Sequence, residues 1–128
     1  RSPEEVEMVE ELIADGMEIL PGVGSDIADP ESFETAYEGT PLVPLRSMFF
    51  EGVQPRWERW GDLEAPLLLF TSEQDHVVDP ADSSHLAATY GGSVDHVWLK
   101  KSYHVATQDY DKALIVEKSL AFISELAH

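Results

Sequence analysis

Residues 65–80, A-P-L-L-L-F-T-S-E-Q-D-H-V-V-D-P, and residues 94–105, V-D-H-V-W-L-K-K-S-Y-H-V, decide how this chain reads. Residues 67–70 form an uninterrupted apolar run ending in a polar turn, the pattern of a strand buried on both faces, as parallel sheets use. Asp75 follows the end of that run. His104 follows the end of a second apolar-rich run, 94–99. An acid and a base thus each lie just beyond the carboxyl end of a strand, which is where open α/β sheets place ligand chemistry.

Working outward, residues 80–90 read as a helix begun by Asp79 as N-cap and Pro80 at the first helical position, and stopped by Gly91 and Gly92. A last helix, 110–126, carries Leu114, Ile115, Phe122, Ile123 and Leu126 at a spacing that leaves one apolar face toward a sheet. The order from residue 63 onward is strand, helix, strand, helix. That implies two parallel strands joined by a right-handed crossover. Two strands cannot cover such helices alone, and residues 1–62 supply no strand-like run.

Residues 3–20 are expected to be helical. Ser2 suits the N-cap, Pro3 the first position, and Glu4 and Glu5 the first turn, where the helix dipole favours acids. Val6, Val9, Ile13 and Met17 form a stripe widened by Met8 and Leu12, with Glu7, Glu10, Glu11 and Asp15 opposite. Residues 21–44 are broken by Pro and Gly into a loop, with one short helix expected over 30–37, capped by Asp29. Residues 45–60 are rich in apolar side chains, among them Phe49, Phe50, Trp57 and Trp60, which read as packing or as a surface facing an acyl or aryl group.

Composition narrows the function classes. At 128 residues, with 43% hydrophobic and 9% aromatic side chains, the chain fits one ordinary domain with a packed core. Its 25 acidic against 8 basic residues give a formal charge of -17, which repels a phosphate backbone and disfavours nucleic acid as a partner. The absence of cysteine excludes disulfides and cysteine-ligated zinc. No apolar run approaches the roughly 18 residues of a membrane span, and the polar start is no signal peptide. A cytoplasmic protein is expected. The start at Arg1 rather than Met reads as a piece of something longer.

The run P-L-L-L-F-T-S-E-Q-D-H-V-V-D-P, followed by V-W-L-K-K-S-Y-H-V-A-T-Q-D-Y-D-K and an amphipathic helix, resembles the C-terminal part of an α/β-hydrolase of the bacterial carboxylesterase and monoacylglycerol lipase branch. The resemblance covers about the last half of the chain. It implies an α/β fold, the C-terminal part of a doubly wound sheet at 63–128, preceded by a mostly helical cap at 1–62. It also implies that the D-x-x-V-x-P loop carries the triad acid, Asp75, and the S-x-H-V turn the triad histidine, His104, 29 residues apart.

The chemistry of such a pair is specific. A serine hydroxyl needs an imidazole to take its proton, and the imidazole needs a carboxylate that fixes its tautomer and stabilises the imidazolium. In α/β-hydrolases the chain order is serine, acid, histidine. Asp75 then His104 obeys it, but no G-x-S-x-G occurs. The run V-G-S-D-I around Ser25 lacks the flanking glycines and a preceding strand. The nucleophile and oxyanion hole are therefore expected upstream of residue 1, in an N-terminal hydrolase segment of the same protein.

Each residue also has a plainer reading. Asp75 suits an ordinary turn, Asp79 is a competing acid that reads better as a helix cap, and His104 suits a hydrogen-bonded loop. His76, His85 and His96 read as packed or solvated. Without cysteine or H-E-x-x-H no metal site is expected, and no cofactor. Asp109 and Asp111 lack the glycine and terminal glutamate of a calcium loop, and helix N-terminal charge explains them. Two functions stay in view: an ester hydrolase part acting on a small-molecule ester, and a non-catalytic hydrolase-like module that binds a protein or lipid through the apolar 45–60 region. Self-association is expected of the isolated piece, whose strand edge and apolar faces would otherwise meet water.

Overall fold

The computed structural model describes residues 3–127. The expected N-cap, Ser2, lies outside them. Helix α1 spans Pro3–Ala14 and ends earlier than its apolar pattern implies. Gly16 adopts φ 83°, a left-handed turn open to glycine at no cost, and the amides of Gly16 and Met17 close on the carbonyls of Ile13 and Leu12. The chain reversed in this way runs on as strand β1, Ile19–Pro21, which pairs antiparallel with β2, Gly39–Pro41.

This corrects the expectation that residues 1–62 hold no strand. The two strands are three residues each, too short to show a period of two, and contain Pro21, Gly39 and Pro41, residues that strands usually avoid. Gly39 is needed for the pairing, since a Cβ there would lie 2.5 Å from the Ile19 methyl and 2.7 Å from the Leu20 carbonyl oxygen. The short helix expected over 30–37 does not form. Asp29 accepts the Glu31 amide at 3.0 Å and the Ser32 hydroxyl at 3.3 Å, which makes one turn. Beyond it Phe33 and Tyr37 are 76% and 93% exposed, so a helix would have no apolar face to bury.

Helix α2, Leu42–Ser47, runs on through a π-helical turn, Met48–Val53, and a 3-10 helix, Gln54–Asp62. Val9 of α1, Leu42 and Phe49 form a buried cluster, with Val6, Leu12, Ile13, Leu20 and Leu45 packed around it. Each such side chain contributes on the order of 2 kcal/mol by leaving water. The stripe on α1 is thus real, although Met8 and Met17, assigned to it from spacing, are exposed.

The second half follows its pattern closely. Strand β3, Leu67–Ser72, helix α3, Pro80–Thr89, strand β4, Val94–Leu99, and helix α4, Lys112–Leu126, come in the expected order. The two strands pair in parallel from Leu67↔Val94 to Ser72↔Leu99, so their carboxyl ends are level. The turn back from α3 needs its glycines: a Cβ on Gly91 would meet the Gly61 carbonyl, and one on Gly92 would lie 2.6 Å from the Ala65 oxygen. This half is α/β. Among the described residues its sheet has two strands, and no residue of α4 is fully buried. Val116, Leu120 and Ile123 on α4 are each more than half exposed.

Candidate functional site

Strand β3 delivers its chain into a tight turn in which Asp75 Oδ1 accepts the amides of Val77 and Val78, each at 2.8 Å. The carboxylate is held by its own loop. Its second oxygen, Oδ2, lies 2.9 Å from His104 Nδ1. With a carboxylate there, Nδ1 carries the proton and Nε2, on the opposite edge of the ring, is left as the basic nitrogen. The two residues singled out from sequence are therefore together. Asp79 is turned elsewhere, accepting the Ala81 amide at 2.8 Å as the N-cap of α3.

The pair borders an opening of about 530 Å³ whose walls include Phe70, Ser72, Val78, Ser83 and Ile115. The His104 side chain is 40% exposed and that of Asp75 13%. The carboxylate is shielded while the imidazole is accessible, so a reacting group can reach the base without meeting the acid.

The loop that carries His104 has little regular structure of its own, and three successive amides anchor it from outside. Tyr103 N–H donates to Asp109 Oδ2 at 2.9 Å, His104 N–H to Asp26 Oδ2 at 3.1 Å, and Val105 N–H to the Asp26 carbonyl at 3.2 Å. The Ser72 hydroxyl at the end of β3 donates to the Tyr103 carbonyl at 2.7 Å. Asp26 is bonded on both oxygens. Oδ2 also accepts the His76 amide at 3.2 Å, and Oδ1 lies 2.7 Å from His76 Nδ1. The His76 ring in turn meets Tyr103 edge-on, with centroids 4.6 Å apart.

Asp109 is fully buried and accepts the amides of Ala28, Asp29 and Tyr110 besides that of Tyr103. Burial pushes its carboxyl up, but these four backbone donors outweigh it and hold the group below the ordinary value. Asp26 behaves likewise: burial raises it, and the bonds from the His76 side chain and from the amides of His76 and His104 bring it below the ordinary value. Asp111 accepts the Lys101 amide and the Ser102 hydroxyl, and Ser102 Oγ accepts the Asp111 amide in return.

Asp109 and Asp111, read from sequence as helix-end charge, are instead the inner scaffold of the histidine loop. Asp111 stands at the N-cap of α4 without a side-chain cap bond, and its Oδ2 accepts from Lys101 and Ser102. Asp26 gave no sequence signal beyond its place in a Gly- and Ser-containing loop, since its partners lie 50 and 78 residues away. Of the remaining histidines, His85 stacks on Trp57 at 4.7 Å and His96 bonds Thr71 Oγ1 at 2.8 Å and tilts over Trp98. Both are packed, in keeping with the plainer reading.

Comparison with known proteins adds to this geometry. The chain is 36% identical over 109 residues to a thermostable monoacylglycerol lipase from Bacillus sp. (strain H-257), an alignment covering 84% of this chain and 43% of the lipase. Among solved structures it superimposes with a TM-score of 0.83 and 35% identity on a chain from work on LipS and LipT, two metagenome-derived lipolytic enzymes, over 98% of this chain and 50% of that one. The chain is a relative of the lipolytic α/β-hydrolases. It spans about half the length of these hydrolases. No family model matches it. No helix among the described residues is long and apolar enough to cross a membrane.

Proposed function

We propose that this chain is the acid- and base-bearing part of a carboxylic ester hydrolase of the monoacylglycerol lipase type. In it Asp75 and His104 complete a Ser-Asp-His triad, and the serine comes from a segment preceding residue 1. The observation that carries the reading is the 2.9 Å contact between His104 Nδ1 and Asp75 Oδ2, made by two loops that leave parallel strands at the same level. Residues 1–62 then act as the cap and residues 63–128 as the C-terminal β-α-β-α part of the core.

In this mechanism His104 Nε2 takes the proton of the serine hydroxyl as the oxygen attacks the ester carbonyl. Asp75 keeps Nδ1 protonated and stabilises the imidazolium while the tetrahedral intermediate exists. The same nitrogen then hands the proton to the departing alcohol, and water deacylates the enzyme by the reverse sequence. Asp75 has the right support for this role: two amides on Oδ1 fix the carboxylate plane and leave Oδ2 for the ring.

Covalent labelling of the full-length protein with a fluorophosphonate tests the reading. The wild type should label at one serine outside residues 1–128, and His104→Ala should label more slowly by orders of magnitude. Equal labelling rates for the two would overturn it.

A further inference from the structure

We infer that Asp26 is a positioning residue for the proposed acid and base, and that one of its atoms, Oδ2, ties their two loops together at the residue beside Asp75 and at His104. The inference rests on the hydrolase reading above and adds a residue to it. Oδ2 accepts the amide of His104 itself at 3.1 Å and the amide of His76, the residue next to Asp75, at 3.2 Å. Neither loop is regular secondary structure, and no strand pairing extends to residues 75 or 104. One oxygen therefore bridges the two loops at the positions that matter.

The bridge is itself held in place. Asp26 is 7% exposed. Oδ1 is oriented by His76 Nδ1 at 2.7 Å, and the Asp26 carbonyl takes the Val105 amide. Two residues on, the amides of Ala28 and Asp29 are fixed by the buried Asp109, which also holds the Tyr103 amide. The segment 26–29 is thus tied at both ends to the loop that carries His104. Asp26 makes no hydrogen bond to the His104 ring and acts through the backbone amides it holds. Misplacement of a catalytic group by about 1 Å can cost about 100-fold in rate.

The test uses the full-length protein, with kcat for a short-chain p-nitrophenyl ester expressed per serine titrated by a fluorophosphonate, so that any unfolded fraction drops out. Asp26→Ala is expected to lower kcat per titrated site by 10- to 100-fold with KM within about twofold of wild type. Asp26→Asn keeps one oxygen for the two amides and is expected to recover most of that loss. Should Asp26→Ala give no titratable sites, Asp26→Ser, whose shorter side chain cannot span both amides, is expected to show the same fall in kcat.

Wild-type kcat per site in Asp26→Ala, or in Asp26→Ser where it must stand in, would overturn the inference. An Asp26→Asn no better than Asp26→Ala would do so too. His104→Ala in the same assay separates the two levels. If His104→Ala is inactive while Asp26→Ala is normal, only the positioning role fails; if His104→Ala is active, the hydrolase reading fails first.

Discussion

Asp109 Oδ2 accepts the Tyr103 amide at 2.9 Å and the Ala28 amide at 2.8 Å, joining the turn before His104 to a segment 81 residues earlier than Asp109 in the chain. A fully buried carboxylate with four backbone donors and no cation among them is stable only while ionised. Protonation would turn one acceptor oxygen into a donor facing amides.

That gives a pH dependence with a definite sign. The folded carboxyl of Asp109 lies below its ordinary value of 3.8, so its contribution to stability is complete above that value and lost as pH falls through the lower, folded one. Asp109→Asn supplies a single oxygen and should cost on the order of 2 kcal/mol at pH 7, since buried amides are left unpaired. The difference in stability between wild type and Asp109→Asn, followed by denaturant titration, should hold steady from pH 7 to about 5 and shrink below about 4. A gap that widened in acid would reverse the sign assigned here.

The half of the chain that was legible in sequence is the half in which local pattern and tertiary role coincide. The apolar run at 67–70 forms most of β3, whose pairing with β4 needs only the local pattern of each strand, and Asp79 with Pro80 starts a helix by local chemistry alone. The part misread depends on partners far away. β1 and β2, three residues each, are too short for a period and are held by their pairing with each other across the loop between them. Asp26, Asp109 and Asp111 act through backbone amides, whose presence leaves no mark on composition or spacing.

Asp79 separates helix capping from chemistry. Its Oδ1 bonds the Ala81 amide. Asp79→Ala in the full-length protein should lower stability by about 1 kcal/mol and leave ester turnover near wild type. Asp75→Asn should do the opposite, folding well but losing about 10⁴-fold in kcat because the amide favours the wrong imidazole tautomer. Thermal melts and steady-state kinetics on the two variants measure both effects, and an interchange of the two outcomes would assign the acid to Asp79.

The 128-residue chain taken alone should neither hydrolyse a p-nitrophenyl ester nor remain monomeric. An acid and a base without a nucleophile form no acyl-enzyme. Val116, Leu120 and Ile123 leave an apolar stripe on α4 in water, and a two-stranded sheet has edges to pair. Sedimentation at rising concentration should show self-association; a monomer throughout, or turnover blocked by a serine-directed inhibitor, would count against these expectations.

The most direct test is the turnover of a short-chain p-nitrophenyl ester by full-length His104→Ala, with folding checked by circular dichroism. The imidazole is an exposed loop side chain, so the variant should fold, and kcat should drop by several orders of magnitude, on the order of 10⁴-fold or more. Wild-type kcat in a folded His104→Ala protein would show that the 2.9 Å contact with Asp75 is a structural hydrogen bond and not half of a catalytic triad.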